Sequence, residues 1–340
     1  MLQCENDEKK RGIKMVLVIG SNSFSGASFI AYLLKHDIDV IGVSRSKEKN
    51  EVFLPYKWVS HARFRFYQID LNHQLDELMQ LIKKYKPNYI VNFSAQSMVA
   101  ESWLHPEHWM QTNVVSMIKL HQQLKELDFL DKYVHISTPE VYGSCSGYIA
   151  ENNHYNPSTP YAVSRAAADM SLKTFFDAYQ FPVVTTRAAN VYGPGQQLYR
   201  IIPRTILFIK MRKKLQLHGG GVSTRSFIHM DDVADATWKI ALDAKIGETY
   251  HIATESSISI KELVQTLCDR LSVDFDEAVE VSGDRLGKDS AYLLDSSKIR
   301  NDLRWSNTIS FENGIMETIN WVMNNFDALR SEVQNYIHKE

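Results

Sequence analysis

The stretch MVLVIGSNSFSG, residues 15–26, decides the fold. Its first five residues are an unbroken apolar run of strand length, which marks a strand buried on both faces rather than a half-solvated one. The run passes directly into a Gly/Ser turn and then an amphipathic stretch over 24–35. Outward from there the same alternation repeats. Residues 39–43 (DVIGV), 64–69, 89–93 (YIVNF), 132–137 (KYVHIS) and 182–186 read as strands, and 75–85, 106–127 and 161–179 as helices. Short β-branched runs alternating with helix-length segments build βαβ units on a parallel sheet. After Asn190 the rhythm loosens, with Gly and Pro clustered at 192–195 and 219–221 and shorter helical patterns at 232–242, 260–271 and 311–324.

The expected architecture is α/β. A Rossmann-type doubly wound parallel sheet spans 15–190 and binds a dinucleotide. A smaller C-terminal α/β substrate lobe occupies most of 191–340 and returns segments to the sheet, while 1–14 form a loose extension. Ligands bind such sheets at the carboxyl edge of the strands.

The 340 residues carry 38 Lys and Arg against 40 Asp and Glu, a net charge of −2. That balance gives no electrostatic reason to expect nucleic acid or an anionic membrane as the main partner, so any phosphate must be gripped locally. Cys4, Cys145 and Cys268 form no CxxC pair, and neither a disulfide framework nor a metal site is expected. No apolar h-region opens the chain and no apolar run reaches membrane-span length. The expectation is a soluble, cytoplasmic protein.

Gly20 and Gly26 bracket a turn in which Ser23 stands where a middle glycine would be, with Asn22 and Phe24 beside it. Such a turn lets the backbone approach a pyrophosphate at a helix N-terminus; its other reading is a plain strand–helix join. At the end of the second strand, 43–47 reads VSRSK. An acid there would bind ribose hydroxyls, whereas Arg45 suits a 2′-phosphate and favours NADP(H), with NAD(H) possible. A solvated basic loop is the alternative.

Further along, His135-Ile136-Ser137-Thr138-Pro139-Glu140-Val141-Tyr142-Gly143 precedes Pro160-Tyr161-Ala162-Val163-Ser164-Arg165. Asp70, Ala95-Gln96-Ser97, Thr112-Asn113, Asn190-Val191-Tyr192-Gly193-Pro194, Arg225-Ser226-Phe227 and Asp284-Arg285-Leu286-Gly287 follow in order. The chain thereby resembles the extended short-chain dehydrogenase/reductases, and most of all their nucleotide-sugar 4,6-dehydratases, from about Lys14 to Asn325. The resemblance implies a catalytic set of Thr138, Glu140, Tyr161 and Arg165. It implies a tightly bound nicotinamide cofactor held by Gly20, Asn22, Ser23, Phe24, Gly26, Arg45, Asp70, Leu71, Ala95, Gln96, Thr112, Tyr161 and Arg165. It places a nucleoside-diphosphate sugar against Ser97, Asn190, Leu217, Arg225 and Arg285, and it implies a homodimer.

In that family the tyrosine removes the proton of the sugar 4-hydroxyl, helped by a lysine four residues on. Here that position is Arg165, which keeps the charge but not the ability to relay a proton. Glu140 points to dehydration, because a carboxylate is needed to remove the C5 proton once C4 is a ketone. Many dehydratases precede it with an aspartate as acid. Pro139 occupies that place and donates nothing, so Glu140 itself would carry the proton to the leaving oxygen. The plain alternatives are an exposed Tyr161–Arg165 helix pair, a solvated Glu140, and surface ion pairs for Arg225 and Arg285. An epimerase of the same fold, or a catalytically silent homologue, remains open. Features near Gln96 and Arg45 lean to a GDP-sugar, and 190–194 and 284–289 to a dTDP-sugar.

Overall fold

The computed structural model describes residues 15–60, 62–145, 147–283 and 293–340. Arg285, the 284–289 motif and the 1–14 extension lie outside the described residues.

Seven strands form one parallel sheet: β1 (Val16–Ile19), β2 (Val40–Ser44), β3 (Phe64–Gln68), β4 (Tyr89–Asn92), β5 (Lys132–Ile136), β6 (Val183–Ala188) and β7 (Thr249–Ile252). Their spatial order is β7-β6-β5-β4-β1-β2-β3. The order reverses between β1 and β4, which pair Val16 with Tyr89 through Ile19 with Asn92. A crevice opens at that reversal, where the two neighbouring connections leave in opposite directions.

Alternation along each strand explains the two apolar layers, because successive side chains point to opposite faces. Val16 and Val18 pack with Val40, Val91 and Val134 against Phe29, Leu33 and Trp238. Leu17 and Ile19 pack with Ile41, Val43 and Ile90 against Leu78, Ile82, Met117 and Leu172. Helices Phe24–Lys35 and Met230–Asp243 thus cover one face, and Leu75–Tyr85, Ser116–Leu124 and Pro160–Tyr179 the other.

The long helical pattern at 106–127 proves to be three pieces: Pro106–Met110, a π-helical turn Gln111–Val115, and Ser116–Leu124. Strand β7 completes the sheet beside β6. Beyond it, short strands pair in twos, Asn190–Tyr192 with Phe227–His229 and Leu215–His218 with Val279–Ser282. A separate apolar cluster of Leu198, Ile202, Ile206, Leu263, Ile315 and Trp321 holds this lobe together.

Candidate active site

At the carboxyl edge of the sheet lies a cleft of about 1160 Å³. That exceeds the roughly 300–1,000 Å³ that holds one drug-sized ligand and leaves room for more than one.

One wall is the first turn. Gly20 has φ +84°, and a Cβ there would come within 2.6 Å of the Ser94 nitrogen, so only glycine lets the turn pass this close to β4. Ser23 is the N-cap of helix Phe24–Lys35: its hydroxyl accepts from the Gly26 N–H at 3.0 Å and donates to the Gly20 carbonyl at 2.7 Å. The serine therefore closes the turn that a glycine would have left open. Gly26 does not line the cleft; a Cβ there would meet the Gly20 oxygen at 2.3 Å, so it serves helix–turn packing. Asn22 donates to the carbonyls of Ser46 and Lys47, at 2.8 and 3.0 Å, and clamps the first turn to the loop after β2.

Phe24, Arg45, Asp70, Leu71, Ala95, Gln96, Ser97 and Thr112 all line the same cleft. The Asp70 carboxylate accepts from the Asn72 N–H at 2.8 Å, and the Asn72 amide reaches the Thr112 hydroxyl at 3.0 Å. Asn113, inside the π-helical turn, exchanges two hydrogen bonds with the Gln96 backbone and donates to the Ser164 hydroxyl at 2.9 Å. It ties the loop after β4 to the tyrosine helix. Sequence reading quoted Asn113 within a motif but gave it no role.

The reacting end is built from two helix starts. Thr138 caps the short 3-10 helix Pro139–Tyr142, and Pro139 sits at its first position, where a missing N–H costs nothing. The Thr138 hydroxyl donates to the Glu140 carboxylate at 3.1 Å. Thr159 caps helix Pro160–Tyr179, again with proline at its start, and this places Tyr161 in the first turn and Arg165 one turn later. Thr138, Glu140, Tyr161 and Arg165 share the cleft.

Arg165 is 2% exposed. Its Nη2 donates to the Ile136 carbonyl and lies 3.4 Å from His135 Nε2. Its Nε and Nη1 find no partner among the described residues. Behind it, Asp169 binds Arg187 at 2.8 Å and lies 3.3 Å from His135. His251 pairs with the Tyr142 hydroxyl at 2.9 Å and the Asp295 carbonyl at 3.1 Å.

The Tyr161 phenol is pushed up to about 12. Burial dominates and the Glu140 charge adds to it, while Arg165, the Thr138 hydrogen bond and Arg200 pull the other way and lose.

On the substrate side, Asn190 and Leu217 line the cleft and Arg225 does not. Arg225 is buried, and its Nη1 donates to the Thr224 carbonyl at 2.8 Å. Arg200 and Arg204 line the cleft instead. Their signal was an i, i+4 arginine pair directly after the Gly/Pro turn. The fold also brings ligand atoms of His105, Glu107 and His108 within 4.8 Å of one another. The two imidazoles lie 5.1 Å apart, centroid to centroid, with their planes 13° apart.

The fit to a nicotinamide dinucleotide rests on three features. These are the glycine turn at the crevice, the capped helix behind it, and the orphaned guanidinium edge of buried Arg165, which suits ribose hydroxyls.

This sheet order and tyrosine helix define an extended short-chain dehydrogenase/reductase. The chain belongs to the GDP-mannose 4,6 dehydratase family, whose family model matches residues 17–318, and it is a nucleotide-sugar 4,6-dehydratase. It is 28% identical over 336 residues to the dTDP-glucose 4,6-dehydratase of Neisseria gonorrhoeae, covering 92% of this chain and 97% of that one. A human dTDP-D-glucose 4,6-dehydratase is 33% identical over 252 residues, covering 72% and 71%. Among solved structures, the Streptomyces venezuelae dTDP-glucose 4,6-dehydratase with NAD bound superposes with a TM-score of 0.86 at 29% identity, covering 92% and 98%. No helix among the described residues is long and apolar enough to cross a membrane.

Proposed function

We propose that the chain removes water across C5 and C6 of a nucleoside-diphosphate hexose, giving the 4-keto-6-deoxy sugar. The observation that carries this is the tether between Thr138 and Glu140 beside Tyr161. A bound nicotinamide dinucleotide supplies the hydride acceptor for C4 and the donor for C6, so no net oxidant is consumed. Tyr161 takes the proton of the 4-hydroxyl. Thr138 hydrogen-bonds the 4-oxygen and holds the sugar ring over Glu140. The Glu140 carboxylate removes the C5 proton, acidified by the C4 ketone, and returns it to the departing O6 as water leaves. When hydride then reaches C6, C5 takes a proton from solvent, and the proton held by Tyr161 is released to solvent. Pro139 offers no acid, so one carboxylate does both transfers. Arg165 presents its free edge to the nicotinamide ribose.

Asn190, Arg200 and Arg204 would grip the diphosphate, since guanidinium groups bond phosphate oxygens bidentately. The absence of a carboxylate at the end of β2, together with Arg45, supports NADP(H) over NAD(H). The relatives' names make dTDP-glucose the first substrate to try and GDP-mannose the second. Half-exposed Met170 and Tyr179 on helix Pro160–Tyr179, near exposed Val115 and Ile118, support a homodimer through this layer, and the reading places the enzyme in the cytoplasm.

The test is mass spectrometry of dTDP-, GDP-, UDP- and CDP-sugars incubated with the protein and NADP or NAD. Loss of one water from one sugar supports the reading and names the nucleotide. An isobaric product marks an epimerase instead, and no product from any sugar with dinucleotide bound marks a silent homologue.

A further inference from the structure

After helix Phe326–Ser331, anchored in the lobe by fully buried Leu329, the chain leaves regular structure and runs back across the cleft. Residues 332–340 then contact two side chains that the dinucleotide reading assigns to the cofactor, Arg45 and Gln96. Arg45 donates through Nη2 to the Lys339 carbonyl at 3.2 Å and through Nη1 to the Glu340 main-chain oxygen. The Gln96 amide donates to the Lys339 carbonyl, and the Lys339 ammonium reaches the Ser46 hydroxyl at 3.2 Å.

Ring contacts set the position of this segment. Tyr336 meets Tyr199 edge-on at 5.6 Å. His338 stacks on Trp109 at 5.1 Å and on His108 at 5.1 Å, and its Nε2 is 2.8 Å from His108 Nδ1. Between these contacts Val333 and Ile337 are 57% and 61% exposed, while Glu332 accepts from the Asn50 amide at 2.9 Å and Asn335 accepts from Arg204 at 3.3 Å. The segment lacks an apolar anchor beyond Leu329, and its grip is polar and aromatic.

We infer that residues 332–340 are a displaceable strap lying in the adenosine end of the cleft, which must leave before a nicotinamide dinucleotide can bind. The inference rests on the reading of Arg45 and Gln96 as dinucleotide contacts. Carbonyl oxygens of the strap occupy the guanidinium of Arg45, the group offered to a ribose or its 2′-phosphate. The two occupants use the same donors, so their binding is mutually exclusive. A protein whose competent state is only a fraction of the population binds its ligand more weakly by that fraction. Dinucleotide affinity is thereby set by how firmly His338 and Tyr336 seat.

Two variants test this: a chain ended after Ser331, which keeps Leu329, and a Tyr336→Ala/His338→Ala chain. NAD and NADP are titrated calorimetrically into each and into the full chain, and hydrogen exchange is followed over 333–339. The strap predicts binding about tenfold tighter in both variants, the factor for a competent state populated one-tenth of the time. It also predicts faster exchange over 333–339 in the full chain when dinucleotide is added. Unchanged or weaker binding in the variants overturns the inference. So does slower exchange with dinucleotide, which would make the segment a lid that closes over it. Failure of every chain to bind either dinucleotide would remove the underlying reading, and the strap with it.

Discussion

The hydroxyl of Thr138 donates to the carboxylate of Glu140 across 3.1 Å, spanning the proline that separates them in sequence. Pro139 is buried and starts the 3-10 helix that turns Glu140 into the cleft. The residue that removes an acid from the site is also the one that aims the remaining carboxylate. Glu140→Gln is expected to leave C4 oxidation intact and to lower water loss by about 10²–10⁴-fold, the usual worth of a positioned general acid–base group. Product mass and the absorbance of reduced nicotinamide read the two steps separately. Unchanged turnover would remove Glu140 from the mechanism.

The pH dependence follows from Tyr161, held at about 12 by burial and then by Glu140. A raised phenol pKa means that the oxidation half-reaction gains rate as pH rises toward that value. Glu140 destabilises the tyrosinate, so removing its charge must lower the phenol pKa. Single-turnover C4 oxidation by Glu140→Gln is expected to reach its alkaline plateau at lower pH than in the parent. A plateau at higher pH would contradict the assigned electrostatics. Tyr161→Phe should lose hydride transfer while still binding the nucleotide sugar.

Arg45→Ala separates the two cofactors. If the guanidinium reads a 2′-phosphate, the substitution weakens NADP at least about tenfold more than NAD, consistent with loss of a charge-assisted contact of about 1.5–3 kcal/mol. Equal effects on both dinucleotides in a binding titration would show that Arg45 does not read the phosphate.

Acid should unfold the protein through groups behind the site. Burial and then the Arg187 charge lower His251 to about 3, so it is neutral when folded and takes a proton near 6.5 when unfolded. Its stabilising contribution is present above about 6.5 and is lost as pH falls toward about 3. Burial alone would raise the Asp169 carboxyl, but the His135 hydrogen bond and the Arg187 charge outweigh it and hold it well below the usual range. That contribution persists to lower pH and fades below about 3.9. Thermal melts at stepped pH should fall first near 6.5, and His251→Gln should make that first step shallower, since burial also lowers His121 and His135. Asp169→Ala strands buried Arg187 and is expected to cost about 3–5 kcal/mol.

The sheet was legible because β1, β2 and β4 are short, largely apolar runs separated by helix-length segments. Helices Leu75–Tyr85 and Phe311–Asn324 lie where periodicity puts them. Strand β7, Thr249–Ile252, is short and half polar in composition, and its pairing with β6 makes it part of the sheet. The π-helical turn at Gln111–Val115 was read as plain helix, since a local insertion does not disturb the apolar period enough to show. Thr138, Glu140, Tyr161 and Arg165 were legible from motif order. The high pKa of Tyr161 was not, because burial is a property of the packed chain. Arg200 and Arg204 were missed because their approach to the cleft depends on the turn before them. The contact between residues 332–340 and Arg45 joins positions about 290 apart, and no local pattern announces it.

The most direct measurement follows one hydrogen. A nucleotide sugar carrying deuterium at C4 is converted in ordinary water, and the product is analysed by NMR. The proposed sequence predicts that the label arrives at C6 of the same molecule, with a solvent proton at C5. Deuterium returned to C4, with no 6-deoxy product, would contradict dehydration and show an epimerase.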